Sequence, residues 1–359
     1  MLRRQSCEKA AIPSDFRELT GESAREPFNA VQIGRSGKPN LGKSDVIPTR
    51  RRLGNTDLRV SILGFGASPL GNVFGVANPA EGVRAVHHAI NEGINLFDVS
   101  PYYGLTLAEQ RLGQALQGRR AEVVLSTKCG RYGVDEFDFS PRRIRLEFEQ
   151  SLKRLRTDFV DILFAHDIEF GFSEQIIGET IPAMRQLQKE GKVRYVGISG
   201  YPPDFLIQIA RAVPVDTILN YCHYNLLAND MTNVLAPFAK SQGIGLINAS
   251  PLHMGMLTKQ GSPSWHPAPP EVHQAVRCAV AFCQSHGVDL SELALRFCVE
   301  NPIADTTLTG MSTTLQVHRN LSALNEPIDP HILEQIRKIL APVHNTVWPS
   351  GIPENNSSR

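Results

Sequence analysis

The chain has 359 residues, 42% of them hydrophobic, enough for one large domain or two small ones. Its 37 Lys+Arg face 36 Asp+Glu, and a formal net charge of +1 argues against nucleic acid or an acidic membrane as partner. No apolar run reaches the roughly 18 residues of a membrane span, and the six cysteines (7, 129, 222, 278, 283 and 298) show no ligand spacing, so free thiols in a reducing, cytoplasmic setting and no metal site are expected.

Residues 1–48 are polar, rich in Ser, Gly, Pro and charge, and lack a sustained apolar period, which reads as a disordered extension. Arg3 and Arg4 are followed at once by Glu8, Asp15, Glu18, Glu22 and Glu26 without an apolar core, so a targeting peptide is not expected. A barrel domain is expected over 49–345, with 346–359 as a C-terminal tail. It begins with RRRLGNTDLRVSILGFG, a hairpin around Gly54 and Asn55 that runs into a first buried strand. Helix 79–91, strand INLFDV, helix 107–117 and strand VVLSTK follow. Next come helix 141–155, strand FVDILFAH, helix 173–190 and strand VRYVGIS. Helix 203–211, strand TILNY, helix 230–242, strand GIGLINAS, a helical stretch 271–299, strand DTTLTG and helix 313–324 complete the series. The strands are near-continuous apolar runs, as in a parallel sheet covered on both faces. Eight strand–helix units predict an α/β fold, a closed (β/α)8 TIM barrel whose active site lies at the C-terminal mouth of the strands.

An open nucleotide-binding sheet would need GxGxxG after the first strand. LGFGASPLG holds Gly64 and Gly66 without a third glycine in register, so that alternative is rejected. The Pro/Gly-rich segment 252–270 is long for a connection and suggests a lid or binding loop.

Four residues at strand ends carry chemistry. Tyr103 lies five residues after Asp98, in DVSPYYG; Lys128 ends VVLSTK; His166 ends FVDILFAH. Tyrosine, with a reference pKa of about 10, is a poor acid or base near neutrality. An ammonium beside it favours the phenolate, and a lysine closing an apolar strand must find a partner such as Asp98. Taken singly, Tyr103 is a packed loop ring, Asp98 a helix cap and His166 a core histidine. Together and in this order they form a set that moves a proton while a hydride moves elsewhere.

This set and its order resemble the tetrad of the aldo-keto reductases, and the resemblance spans roughly residues 50–325. GFGASPLGNVFG, FDVSPYYG, STKCGRYG, HDIEFG, NYCHYN, ASPLHMG, WHPA and TVWPSGI are similar to the plant-type sugar dehydrogenases of that family. The resemblance implies Tyr103 as acid/base, Lys128 and Asp98 as its tuning pair, and His166 as the group that orients the substrate. It implies a nicotinamide cofactor held by Gly66, Ala67, Asp98, Ser199, Tyr221, Ser250, Leu252, Gly310, Gln316 and Asn320. Three departures stand out: Gly200 replaces the family's Asn after Ser199, Tyr221 replaces its Gln, and Ala249 replaces an aromatic residue, a ring that Tyr221 could supply. Gln316 stands where an Arg would pair a 2′-phosphate, TTLTGMS lacks a lysine, and His318 and Arg319 are less suitably placed, so NAD is expected over NADP.

The implied reaction is oxidation of an aldose at C1 to a lactone, with L-galactose as substrate and ascorbate synthesis as setting. D-arabinose and L-fucose are alternative substrates. A non-catalytic, cofactor-sensing module like the beta subunits of voltage-gated potassium channels is a further alternative. Trp348 either covers the sugar or docks the tail. Asp167 and Glu169 either bind sugar hydroxyls or face solvent, and Cys129 is either near the site or a small buried residue. A monomer or homodimer is expected.

Overall fold

The computed structural model describes residues 49–300 and 303–356. The expected extension 1–48 lies outside the described residues. Strands β1 (Arg50–Arg52) and β2 (Arg59–Ser61) pair antiparallel, Arg51 opposite Val60. The turn between them needs Gly54, at φ +52°, because a Cβ there would stand 2.2 Å from the backbone nitrogen of Gly245. Leu53, Leu58 and Val60 from this hairpin pack against Leu96, Val124, Ile162, Phe164, Leu219, Ile247 and Leu308, and so close the floor of the barrel.

The barrel itself is β3 (Leu63–Gly66), β4 (Leu96–Asp98), β5 (Val124–Cys129), β6 (Val160–Ala165), β7 (Val193–Gly200), β8 (Thr217–Tyr221), β9 (Gly245–Ala249) and β10 (Thr306–Gly310). These eight strands are parallel and stand in chain order, and β10 closes on β3 with Gly310 opposite Gly66. The eight-stranded closure read from the sequence is therefore the observed fold.

Outside the strands lie α1 (Pro79–Asn91), α2 (Leu107–Ala115) and α3 (Pro141–Leu155). Asn78 and Ser140 cap α1 and α3 by accepting from Glu81 N and Arg143 N, and each helix starts on a proline, which has no N–H to lose there. Helix α4 (Ser173–Gln175) runs through a π turn (Ile176–Thr180) into α5 (Ile181–Lys189), and α6 (Pro203–Ala212) follows β7. The expected helix 230–242 begins as a 3-10 turn at Asp230–Thr232, and only α7 (Leu235–Gln242) is α-helical. The expected stretch 271–299 is two helices, α8 (Pro270–Ser285) and α9 (Leu290–Glu300), parted at Gly287 with φ +69°. After α10 (Thr314–Ala323) comes α11 (Pro330–Leu340), which the sequence reading did not include. It carries a clear signature: Asp329 caps it, Pro330 opens it, and Ile332, Ile336 and Leu340 recur every four residues and are buried.

One buried polar knot fixes β5. Glu109 of α2 accepts from Thr127 Oγ1 (2.7 Å), from Ser151 Oγ (3.3 Å) and from Arg154 Nε (2.6 Å) of α3. A fully buried carboxylate is tolerable only with such donors. It anchors the outward face of β5 at Thr127, which turns Lys128 toward the barrel axis. Among the described residues no helix is long and apolar enough to cross a membrane.

Candidate active site

Side chains alternate between the two faces of a strand. Leu96, Val124, Ile162, Phe164, Leu219, Ile247 and Leu308 point inward. A Cβ on Gly64 would meet Leu308 and Leu96, so Gly64 is inward too. Steps of two along each strand then place Gly66, Asp98, Lys128, His166, Tyr221, Ala249 and Gly310 at the inner rim. The same alternation puts Ser199 there, two steps of two beyond the Tyr195 that packs on this layer. The rim is lopsided: β4, β5 and β6 bring large functional side chains, whereas β9, β10 and β3 bring Ala249, Gly310 and Gly66. That side of the rim therefore carries little side-chain bulk.

Lys128 is 1% exposed, and its Nζ donates to Asp98 Oδ2 (2.5 Å) and to Val99 O (2.9 Å). Ser126 Oγ donates to the other Asp98 oxygen at 2.8 Å. Asp98 thus serves the lysine, and the cap position of α2 is held by Thr106. Tyr103 lies on the loop leaving β4, with Lys128 Nζ 4.9 Å from its ring centroid. Its ring meets that of His166 edge to face, 5.7 Å between centroids at 89°. Gly104, at φ +63°, lets this loop pass Gly71: a Cβ there would stand 2.1 Å from Gly71 O.

Burial pushes the Tyr103 phenol up to about 12, against the pull of Lys128, with Asp98 and Asp167 adding to the rise. Lys128 is opposed by burial, but Asp98 and Tyr103 outweigh it and hold the ammonium above its usual value. His166 lies well below the usual imidazole range, through burial first and then the Lys128 and Arg131 charges. At neutral pH the site is a phenol, an ammonium and a neutral imidazole.

His166 Nδ1 lies 3.0 Å from Ser100 Oγ, and its Nε2 is 3.7 Å from Asp167 Oδ2. Asp167 is buried and takes Arg131 Nη1 at 2.5 Å, and burial pushes its carboxyl up against the pull of Arg131. Arg131 in turn lies 3.8 Å over the Tyr102 ring, so Tyr102 is the packing tyrosine of the pair.

Glu169 does not face solvent either. Its Oε1 accepts from Tyr201 N (3.1 Å) and Ser350 Oγ (2.9 Å), and its backbone oxygen accepts from Ile352 N and Asn355 Nδ2. Burial, then the neighbouring Asp167, push its carboxyl up to about 8. A Cβ on Gly200 would stand 2.5 Å from Glu169 Oε2. The carboxyl therefore fills the space an asparagine side chain would need, which explains that departure from the family pattern. Glu169 is the clasp for the tail. Trp348 stacks on Tyr201 (4.6 Å) and meets His253 and His266 edge-on (5.5 Å each), the arrangement of a docked tail.

Of the residues expected to hold a cofactor, Ala67 donates its N–H to Asp98 O, and Ser199 Oγ donates to Ala165 O. Ser250, at φ +58°, and Leu252 open the loop after β9. Asn320 lies on α10. Gln316 closes a capping box: its Oε1 accepts from Ser312 N and Thr313 N, while its N–H donates to Thr313 Oγ1. Beside it, Glu81 Oε1 accepts from Thr314 N and Thr314 Oγ1, both at 2.8 Å. Burial opposes the Glu81 charge, but the Thr314 and Arg84 bonds outweigh it and hold the carboxyl low. Cys129 is buried, and burial alone pushes its thiol up, as in an inert core cysteine. Among the described residues no group of three or more His, Cys, Asp and Glu is placed to hold a metal.

Sequence reasoning passed over Ser100, Arg131, Tyr201 and Glu81. Arg131 had a signal, a cation three residues beyond Lys128 at the same strand end. Glu81 had none, since its partner is 233 residues away.

Residues 62–341 match the sequence profile of the Aldo/keto reductase family. The chain is 49% identical to the L-galactose dehydrogenase of Arabidopsis thaliana over 316 residues, 85% of this chain and 98% of that one. It is 31% identical to the D-arabinose 1-dehydrogenase of Saccharomyces cerevisiae, over 75% of this chain and 87% of that one. Among solved structures, an aldo-keto reductase of Bacillus halodurans in its holo form superposes with a TM-score of 0.68 at 28% identity, covering 81% of this chain and 96% of that one.

Proposed function

The chain belongs to the aldo/keto reductase family, and on that premise we propose that it oxidises L-galactose at C1 to the lactone, with NAD as hydride acceptor. The observation that carries the reading is the assembled tetrad in a chain 49% identical, nearly end to end, to an L-galactose dehydrogenase. The lopsided rim fits the nicotinamide cofactor: Gly66, Ala67, Ser199, Tyr221, Ser250, Leu252 and Gly310 would hold its nicotinamide half, and Gln316 and Asn320 its adenosine. When bound, NAD takes up the hydride from C1.

The protein supplies the rest. Tyr103 removes the proton of the C1 hydroxyl, and the adjacent Lys128 ammonium stabilises the phenolate this requires. Asp98 keeps Lys128 charged and aimed. His166, neutral, holds the sugar oxygen without competing for the proton. Two features of α10 support NAD over NADP: Gln316 carries no charge and its Oε1 is engaged in the capping box, and the Glu81 carboxylate sits on the first N–H of the helix, where a 2′-phosphate would meet like charge.

The test is a panel of aldoses compared by kcat/KM for NADH formation. L-galactose leads, L-fucose follows as the closest competitor, and D-galactose and D-glucose are poor. Each mismatched buried hydroxyl costs about 1–3 kcal/mol, roughly tenfold to a hundredfold. A tenfold lead for D-arabinose would transfer the assignment to that sugar. No turnover with any aldose would favour the non-catalytic module.

A further inference from the structure

We propose that Ser100 is a positioning residue that holds His166 as its Nε2–H tautomer, so that the imidazole offers the substrate oxygen a donor and not a lone pair. The argument is a proton count. Tyr102 N donates to Ser100 Oγ at 3.1 Å. An amide can only donate, so Oγ accepts there. Ser100 is fully buried, which leaves its single hydroxyl proton dependent on a protein acceptor. The acceptor within reach is His166 Nδ1, at 3.0 Å. Nδ1 therefore carries the lone pair. Because burial and the cations of Lys128 and Arg131 keep the ring neutral, its one N–H is at Nε2.

The other side of the ring agrees. Nε2 lies 3.7 Å from Asp167 Oδ2, too far for a hydrogen bond but within the field of that carboxylate. A lone pair at Nε2 would face like charge; an N–H is favoured and stays free for a ligand. Asp167 is committed to Arg131, so it does not take the proton for itself. The opposite tautomer would strand the Ser100 proton in a buried site and set the Nε2 lone pair against Asp167. Ser100 also ties His166 to the loop that carries Tyr103, so one hydroxyl couples the donor and the acid/base of the tetrad.

The mechanistic use of this tautomer rests on His166 meeting the substrate oxygen, as read above; the tautomer itself does not. The experiment therefore has two arms. Long-range ¹H–¹⁵N spectra of histidine-labelled protein, with His166→Asn identifying the His166 signals, report the tautomer directly. The wild type should show Nε2 protonated and Nδ1 as a hydrogen-bonded acceptor. Ser100→Ala should lose that pattern, and Ser100→Thr, which keeps the hydroxyl, should restore it. In steady-state kinetics Ser100→Ala should lower kcat/KM roughly tenfold to a hundredfold, with recovery in Ser100→Thr. A wild-type spectrum with Nδ1 protonated overturns the proposal, even if the variants fail to fold. So does a folded Ser100→Ala protein with unchanged tautomer. An altered tautomer without turnover on any aldose upholds the proposal and counts against the sugar assignment alone.

Discussion

Replacing Tyr103 by phenylalanine separates chemistry from architecture at this site. The ring keeps its edge-to-face contact with His166, and only the phenolic oxygen is lost. Loss of one positioned acid/base lowers rates by about 10²–10⁴, or about 2.7–5.5 kcal/mol of barrier. The structural cost is smaller. Two of the Lys128 ammonium protons are taken by Asp98 and Val99 O, and the ammonium loses the interaction with the Tyr103 hydroxyl that helps hold its charge. One unsatisfied buried donor costs about 1–3 kcal/mol, and the removed hydroxyl no longer has to be desolvated, which offsets part of it. NADH formation from L-galactose should fall by at least about a hundredfold, with NAD binding retained and the thermal midpoint only slightly lower. The pH profile is a second readout. With the phenol pushed up to about 12, its phenolate fraction rises about tenfold per pH unit below that value. Wild-type kcat/KM for oxidation should therefore climb with pH, and the residual activity of Tyr103→Phe should not. Near-wild-type turnover, or an unchanged pH slope in the variant, would remove Tyr103 from proton transfer.

Gln316→Arg combined with Glu81→Gln should shift the kcat/KM ratio toward NADP by roughly tenfold or more; an unchanged ratio would show that α10 does not set cofactor choice. Glu169 holds its proton up to about pH 8 in the fold against an ordinary 4.5. The folded state is then the one that binds the extra proton between these values, so stability falls as pH rises through this window and levels off above it. Glu169→Gln should flatten that fall in the thermal midpoint, and an identical pH dependence in the variant would contradict the buried neutral carboxyl. A chain beginning at Pro48 should keep its thermal midpoint and turnover, because the hairpin that closes the barrel floor starts at Arg50; a large loss of either would show that residues 1–48 contribute to the domain.

The local pattern of this chain determined its architecture and marked the residues that line the candidate site. Apolar runs of strand length, alternating with capped amphipathic helices, must be covered on both faces, and eight such units favour a sheet whose last strand pairs with the first, as observed. Asp98, Lys128 and His166 were legible because a charged or polar residue closing an apolar strand is anomalous wherever the strand lies. The halves of the 271–299 stretch were separable in principle at Gly287, and α11 was legible from Asp329 and Pro330. The environment of the reactive residues was not legible. Ser100 and His166 are 66 residues apart, Glu169 and Ser350 are 181 apart, and Glu81 and Thr314 are 233 apart. Closure of the barrel and docking of the tail make them neighbours. Hydrogen bonds and desolvation act over a few ångströms of space, whatever the distance along the chain. The sequence could therefore mark which side chains gather at the candidate site, while tertiary structure alone decided their partners, their charge environment and what shields them from water.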